Sequence, residues 1–365
     1  MQSICCGWIS RCAGMVLVLA VVVTGCAKAE NAPERVQIVN STAELDSLPA
    51  GITELWVNGQ KISAKDLDRI PDKRGIRRLV LTSIKCDNDA CSQAATFSDL
   101  TDLTFAGIAN VDSTAIARLG KLNSLANLLF LSGETLKETV LVELAALPNL
   151  KTLTVHGARI NDKALTSVIE KATVVTLILS GLKDCSLRAL ANATPSKTLT
   201  DLMLYGLSNE WMERDSLLAY KNLPHLVVYS TKPAPLSFLN ELSACNCSFG
   251  FGIGTLGSEE WQGKLANVGV IGKPRSVILA GSGKISTDLI NALGNSENLV
   301  ELELVKVEIN ASQLTSVLSK RKTLKVSLVG CKGLTDDEIA QIRKGNEKAD
   351  VSIGTVTEAY SQLYD

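Results

Sequence analysis

A motif of the form L-x-x-L-x-L returns every 24 or 25 residues along this 365-residue chain, and no other feature restricts the fold as tightly. Clear copies begin at Ile52, Ile76, Leu100, Leu125, Leu150, Val174 and Leu199, and later copies at Leu223, Pro274, Leu299 and Thr323. A chain that holds one period from Ile52 to Leu328 is a stack of like units. An ordinary α/β domain would vary its strand and loop lengths, so the period predicts a solenoid.

The copy from Leu150 to Ala172 shows what each unit builds. Leu150, Leu153 and Val155 have the spacing of a short strand with one buried face, a turn follows at Gly157, and Ile160 points inward again. Leu165 with Val168 or Ile169 then has helical spacing. The second half recurs at Ile62, Ile160, Ile285, Ile309 and Leu334, each followed by a Ser, Asn or Thr that can cap a helix start. A single copy cannot bury its apolar face, whereas stacked copies can. The expected fold class is therefore α/β, with a parallel concave sheet and short convex helices or irregular turns.

This pattern resembles the leucine-rich repeat family over roughly residues 46–355, nearest to the 24-residue form of many bacterial envelope proteins, including those of planctomycetes. The resemblance implies a leucine-rich repeat solenoid, a horseshoe or arc, and binding by surface and curvature rather than by a shared active site. The chain departs from the family at the ninth repeat position, where an Asn or Cys usually satisfies turn amides. Here only Cys331 matches; Gln60, Ile84, Ile108, Gly133, Ala158, Leu182 and others stand there, so the turns must satisfy their amides by other means. The register also fails once, from 232 to 273. That stretch reads as a degraded repeat stacked in line, as an inserted binding loop or as a boundary.

The amino terminus reads as a targeting segment. Met15 to Val23 is wholly apolar, too short to cross a bilayer alone but the length of a signal-peptide core, with Arg11 the only preceding charge. Val23-Thr24-Gly25-Cys26 resembles the bacterial lipobox, which implies cleavage before Cys26 and acylation of that cysteine. Ordinary secretion and an uncleaved anchor are the other readings. Residues 1–25 are thus expected to be the signal peptide, 26–45 a lipidated tether and N-terminal cap, 46–355 the repeat domain and 356–365 a C-terminal cap. With Ala27-Lys28 after the cysteine, resemblance to diderm lipoproteins implies the outer membrane, facing the periplasm or the surface.

Removal of residues 1–25 leaves 36 Lys plus Arg against 38 Asp plus Glu, since Arg11 is the only charge lost. That balance argues against a nucleic-acid partner, which asks for a basic face. Aromatic residues are only 4%, so neither sugar platforms nor base-stacking surfaces are advertised. No HExxH, GxSxG or phosphate-loop motif occurs. The only histidines, His156 and His225, lie in different repeats, and the Cys245-x-Cys247 pair lacks a second ligand pair for zinc. No cofactor or metal is expected, and no enzymatic role. In an exported chain Cys86 and Cys91, flanking the polar turn DNDA, are the best-placed pair for a disulfide, while Cys185 reads as a buried thiol.

Within each strand the residues between the leucines face the open side of the sheet. Reading along the stack gives Trp56, Leu129, Ile178, Met203 and Val227 in one column, with His156, Tyr205 and Tyr229 in the next. These eight are the candidate protein-binding residues, because tyrosine and tryptophan combine apolar area with a polar handle. The expected function is a membrane-tethered, non-catalytic binding or scaffold module of the bacterial cell envelope whose partner is an envelope protein or peptide. The alternatives are a self-associating structural envelope protein and an envelope enzyme with an unrecognised site.

Overall fold

The computed structural model describes residues 35–107, 109–132, 136–245, 250–253, 256–267 and 275–354. Cys26 and the whole 1–25 segment, Cys247, and the 356–365 cap lie outside these residues. The chain divides into two compact units. Among the described residues, 35–185 with 192–203 make the first, and 186–191 with 204–354 make the second.

In the first unit seven strands pair parallel in chain order: Val36–Val39, Glu54–Asn58, Arg78–Thr82, Asp102–Ala106, Asn127–Phe130, Thr152–Val155 and Thr176–Leu179. The register is constant, so Leu55, Leu79, Leu103, Leu128, Leu153 and Leu177 fall opposite one another. All six are 0–1% exposed. Two residues on, Val57, Leu81, Phe105, Phe130, Val155 and Leu179 form a second buried layer, in which the Phe105 and Phe130 rings stack at 5.3 Å. Each such side chain contributes roughly 1.5–3 kcal/mol on burial, and the repeat multiplies the gain strand by strand. The strand Val36–Val39 extends this sheet ahead of the first repeat and pairs with Glu54–Asn58.

The second unit repeats the scheme with His225–Ser230, Gly250–Ile253, Ser276–Ala280, Glu301–Val305, Lys325–Val329 and Asp350–Gly354. The irregular 232–273 stretch supplies a strand of its own. Gly250–Ile253 pairs parallel with His225–Val228 on one side and with Ser276–Leu279 on the other, so a repeat is present although its leucines are not. Helices Leu236–Ala244 and Glu259–Asn267 flank that strand in the chain. Parallel strands alternating with helices at the sequence period make this fold an α/β leucine-rich repeat solenoid.

The capping residues act as the sequence predicts. Asn161 accepts from Ala164 N, Ser286 from Leu289 N, Asn310 from Gln313 N and Thr335 from Glu338 N. At Ser63 the direction is reversed locally, because its hydroxyl and its amide both donate to the Asp66 carboxylate at the start of the Ala64–Arg69 turn of 3-10 helix. The amides left without the family's Asn are met mainly by neighbouring turns. Gly59 N donates to Thr82 O, Ser83 N to Ala106 O, Ala158 N to Ser180 O and Lys306 N to Val329 O. Cys331 does serve as a turn donor, with its thiol on Leu304 O at 3.2 Å. In the degraded repeat Gln262 takes on the role. Its Nε2 donates to Gly257 O and Lys284 O while its Oε1 accepts from Ser286 N, and the side chain is 2% exposed.

Candidate functional site

The open face of the first unit carries a polar ladder of Glu54, Arg78, Asp102 and Asn127, in register at the first outward position of four successive strands. Glu54 accepts from Trp56 Nε1 at 2.5 Å through one carboxylate oxygen and from Arg78 Nη1 at 3.1 Å through the other. Asp102 accepts from Thr101 Oγ1 and from Asn127 Nδ2 at 2.8 Å. Glu54 is only 6% exposed, so its side-chain oxygens are satisfied by these two donors rather than by bulk water. The consequence is a half-buried Trp56 ring whose edge is fixed by a charge-assisted bond.

The next column carries Trp56, Val80, Thr104, Leu129, Thr154 and Ile178 in register. Trp56, Thr104 and Leu129 are half-buried, whereas Val80, Thr154 and Ile178 are 3% exposed. His156 follows in the third column, where its Nδ1 lies 2.9 Å from Ser180 Oγ of the adjacent repeat. His156 is 5% and Ser180 2% exposed, and burial pulls the imidazole down to about 4, so it is neutral near pH 7. Its Nε2 is buried and meets no partner among the described residues.

A serine beside a histidine invites comparison with a nucleophile and its base. The surroundings do not complete that chemistry. Among the described residues no carboxylate orients the ring, a base held near 4 takes up a proton poorly at neutral pH, and the adjoining backbone donors Ser180 N and Ala158 N are engaged with Val155 O and Ser180 O. The pair closes a polar gap between two strands and leaves one ring nitrogen with an unmet hydrogen bond.

In the second unit Tyr205 and Tyr229 stack with centroids 4.8 Å apart and planes 13° from parallel. Tyr205 is 7%, Tyr229 3% and Val227 0% exposed. Burial, with a smaller contribution from the Glu303 charge, pushes the Tyr205 phenol well up. Met203, in the first unit, is 3% exposed. Of the eight sequence candidates, then, Trp56 and Leu129 present surface, while His156, Ile178, Met203, Tyr205, Val227 and Tyr229 are packed. Glu54, Arg78, Asp102 and Asn127 add a fixed polar row beside Trp56 that the leucine spacing alone does not announce.

Elsewhere the chemistry is sparse. An open groove of about 490 Å³ runs beside the turns around Lys61, Lys65 and Lys85, whose walls also carry Asp66, Asp87 and Asp89. Lys65 pairs with Asp89 at 3.7 Å and Lys85 with Asp87 at 3.6 Å, so its charges are largely spent on each other. Cys86, Cys91, Cys185, Cys245 and Cys331 are free thiols. Cys185 donates to Ile160 O at 3.0 Å, and burial pushes its thiol up to about 12. Among the described residues no cluster of His, Cys, Asp and Glu could hold a metal ion, and no helix is long and apolar enough to cross a membrane.

No family model matches the sequence, and comparison with curated proteins gives no match. Comparison with solved structures does. An internalin from Listeria monocytogenes is 17% identical, with a TM-score of 0.39 over 85% of this chain and 88% of its own. A chain from the Drosophila Toll–Spatzle complex is 12% identical, with a TM-score of 0.32, and this chain spans 57% of its length. A chain from an octameric complex of latrophilin 3, Unc5D and the FLRT2 leucine-rich repeat region is 14% identical with a TM-score of 0.33, over 79% of this chain and 85% of its own. The assignment of the fold stands on the strand register and the repeat period themselves.

Proposed function

We propose that this chain is a non-catalytic protein-binding or scaffold module of the bacterial cell envelope, held on a membrane by acyl chains on Cys26. The observation that supports binding is the open strand face of the first unit, where Trp56 and Leu129 present apolar area beside the fixed Glu54, Arg78, Asp102 and Asn127 row. A pre-ordered aromatic and an arginine on a rigid sheet lose little entropy when a partner docks. The partner this face suits is an envelope protein or peptide with an apolar stretch flanked by polar groups. The lipobox-like Val23-Thr24-Gly25-Cys26 supports the tether.

The test of binding is a capture from the source envelope with protein beginning at Ala27, using Trp56→Ala/Leu129→Glu as the parallel bait. A partner retained by the parent and lost by the variant is expected; equal capture by both would move the site away from this face. The tether is tested separately by metabolic labelling with a fatty acid, where Cys26→Ser is expected to abolish the label. Self-association is the second reading. Its support is the strand Val36–Val39, at the sheet edge among the described residues, which exposes Val36 by 51% and Ile38 by 41%. If the mass in solution exceeds that of one chain and falls with Ile38→Lys, that reading displaces the first.

A further inference from the structure

Cys86 and Cys91 stand apart from the other described cysteines. The thiols of Cys185, Cys245 and Cys331 donate to backbone carbonyls, at Ile160, Leu217 and Leu304 respectively. Cys86 and Cys91 instead interact with each other, from the position just before the Asp87 cap and the fourth position of its helix. Cys86 belongs to the two-residue strand Cys86–Asp87, pinned to Ala109–Asn110 of the next repeat, and Cys91 sits in the helix Asn88–Ala94. Asp87 caps that helix through Asp89 N and Ala90 N, which turns the chain back at the helix start between the two cysteines. Both side chains are 0% exposed.

We infer that Cys86 and Cys91 are a dithiol–disulfide couple that closes across the Asp87 cap. The residue before a helix cap packs on the fourth helical residue, so the strand–cap–helix turn sets these two buried thiols where a local adjustment brings the sulfurs to the S–S length of about 2.0 Å. The oxidant is a small-molecule disulfide such as oxidised glutathione. One cysteine thiolate attacks it, forming a mixed disulfide and releasing one glutathione thiol. The other cysteine then attacks the protein sulfur of that mixed disulfide and releases the second glutathione. Two protein S–H bonds are lost, one S–S bond forms, and the two electrons reside in two glutathione thiols.

The interaction with Cys91 and then burial hold the Cys86 thiol protonated in the closed fold, so exchange proceeds when the 85–94 segment opens or while the chain folds. The couple is thus set at folding and kept by burial. Exposed cysteines, by contrast, would exchange freely with the surrounding thiol pool.

The experiment uses the full chain, refolded in oxidised or in reduced glutathione, then denatured, alkylated and digested with trypsin. Both cysteines fall in one tryptic peptide, Cys86–Arg118. After oxidised glutathione that peptide is expected without alkyl groups and lighter by two hydrogens, and after reduced glutathione with both cysteines alkylated. The melting temperature of the parent is expected to be a few degrees higher in the oxidised form, a shift that Cys86→Ala and Cys91→Ala both remove. Alkylation of both thiols after oxidation, a lasting glutathione adduct on either, or a bond from either to another cysteine would each overturn the inference. The parent digest alone decides it should the alanine variants fail to fold.

Discussion

Trp56 in the first unit and Tyr205 in the second both stand at outward positions of parallel strands, each in its own repeat. Trp56 is half-buried, with its indole N–H fixed by Glu54. Tyr205 is 7% exposed and lies flat against Tyr229. An aromatic at an outward strand position can therefore be either a contact surface or part of a packed layer. Which one it becomes is decided by what the neighbouring repeats place beside it, a polar row in the first case and a second ring in the second.

The largest way to break this comparison is Tyr205→Glu. If the ring belongs to a packed layer, the variant buries a carboxylate without a partner and loses the stack, at a combined cost of about 3–5 kcal/mol. Denaturant unfolding measures it. Trp56→Ala, at a half-exposed position, is expected to cost no more than about 2 kcal/mol while removing partner capture. Equal costs for the two variants would erase the distinction between contact surface and packed layer.

A second test uses the buried His156 of the first unit. Its imidazole ionises at 6.5 in the unfolded chain and at about 4 in the fold. Between these values the unfolded state binds the proton first, so stability is complete above pH 6.5 and is lost as pH falls toward 4. The loss is about 3 kcal/mol, since each pH unit of difference is worth about 1.4 kcal/mol. His156→Gln is expected to flatten that window. The carboxylates held low by their partners, such as Asp66 by Ser63 and Asp112 by Asn88, lose their contribution only as pH falls below 3.8, which keeps the two effects apart. A slope between pH 6.5 and 4 that survives in the variant would show that His156 is not the buried base.

The buried leucine layers and the helix caps were legible in the sequence because each depends on spacing within one repeat. The strand Gly250–Ile253 was harder to read, since glycines fill the outward positions and pairing is supplied by its two neighbours rather than by its own leucines. The site was legible as columns and not as contacts. Glu54 with Arg78 and His156 with Ser180 are each 24 residues apart, so the period itself carried the signal that they meet across adjacent strands. Burial was not legible. Tyr205 and Trp56 read alike along the chain, and only packing from other repeats separates them.

A smaller test sharpens the role of the polar row. Glu54→Gln keeps an acceptor for Trp56 but removes the charge opposed to Arg78, and is expected to cost about 1–2 kcal/mol. If the row serves to hold Trp56 for a partner, capture weakens in this variant although the indole remains. Unchanged capture would leave Trp56 as a surface that needs no such support.

The smallest effect concerns the turns, where the two units should obey one rule. Gly157, Gly181, Gly281 and Gly330 take positive φ after their strands, and at Gly181 an added Cβ would lie 2.7 Å from Gly157 Cα. Ser83 in the first unit and Lys306 in the second adopt the same left-handed backbone, at φ 58° and 57°. A side chain there costs roughly 1–2 kcal/mol, of which glycine returns part through its greater freedom in the unfolded chain. Ser83→Gly and Lys306→Gly are each expected to stabilise by about 0.5–1 kcal/mol, seen as a higher denaturation midpoint with an unchanged slope. The turn amides of both residues already bond the next repeat, at Ala106 O and Val329 O, and neither bond depends on the side chain. A gain in one unit only would mean that the side chain at the other turn contributes an interaction as large as the backbone strain it imposes.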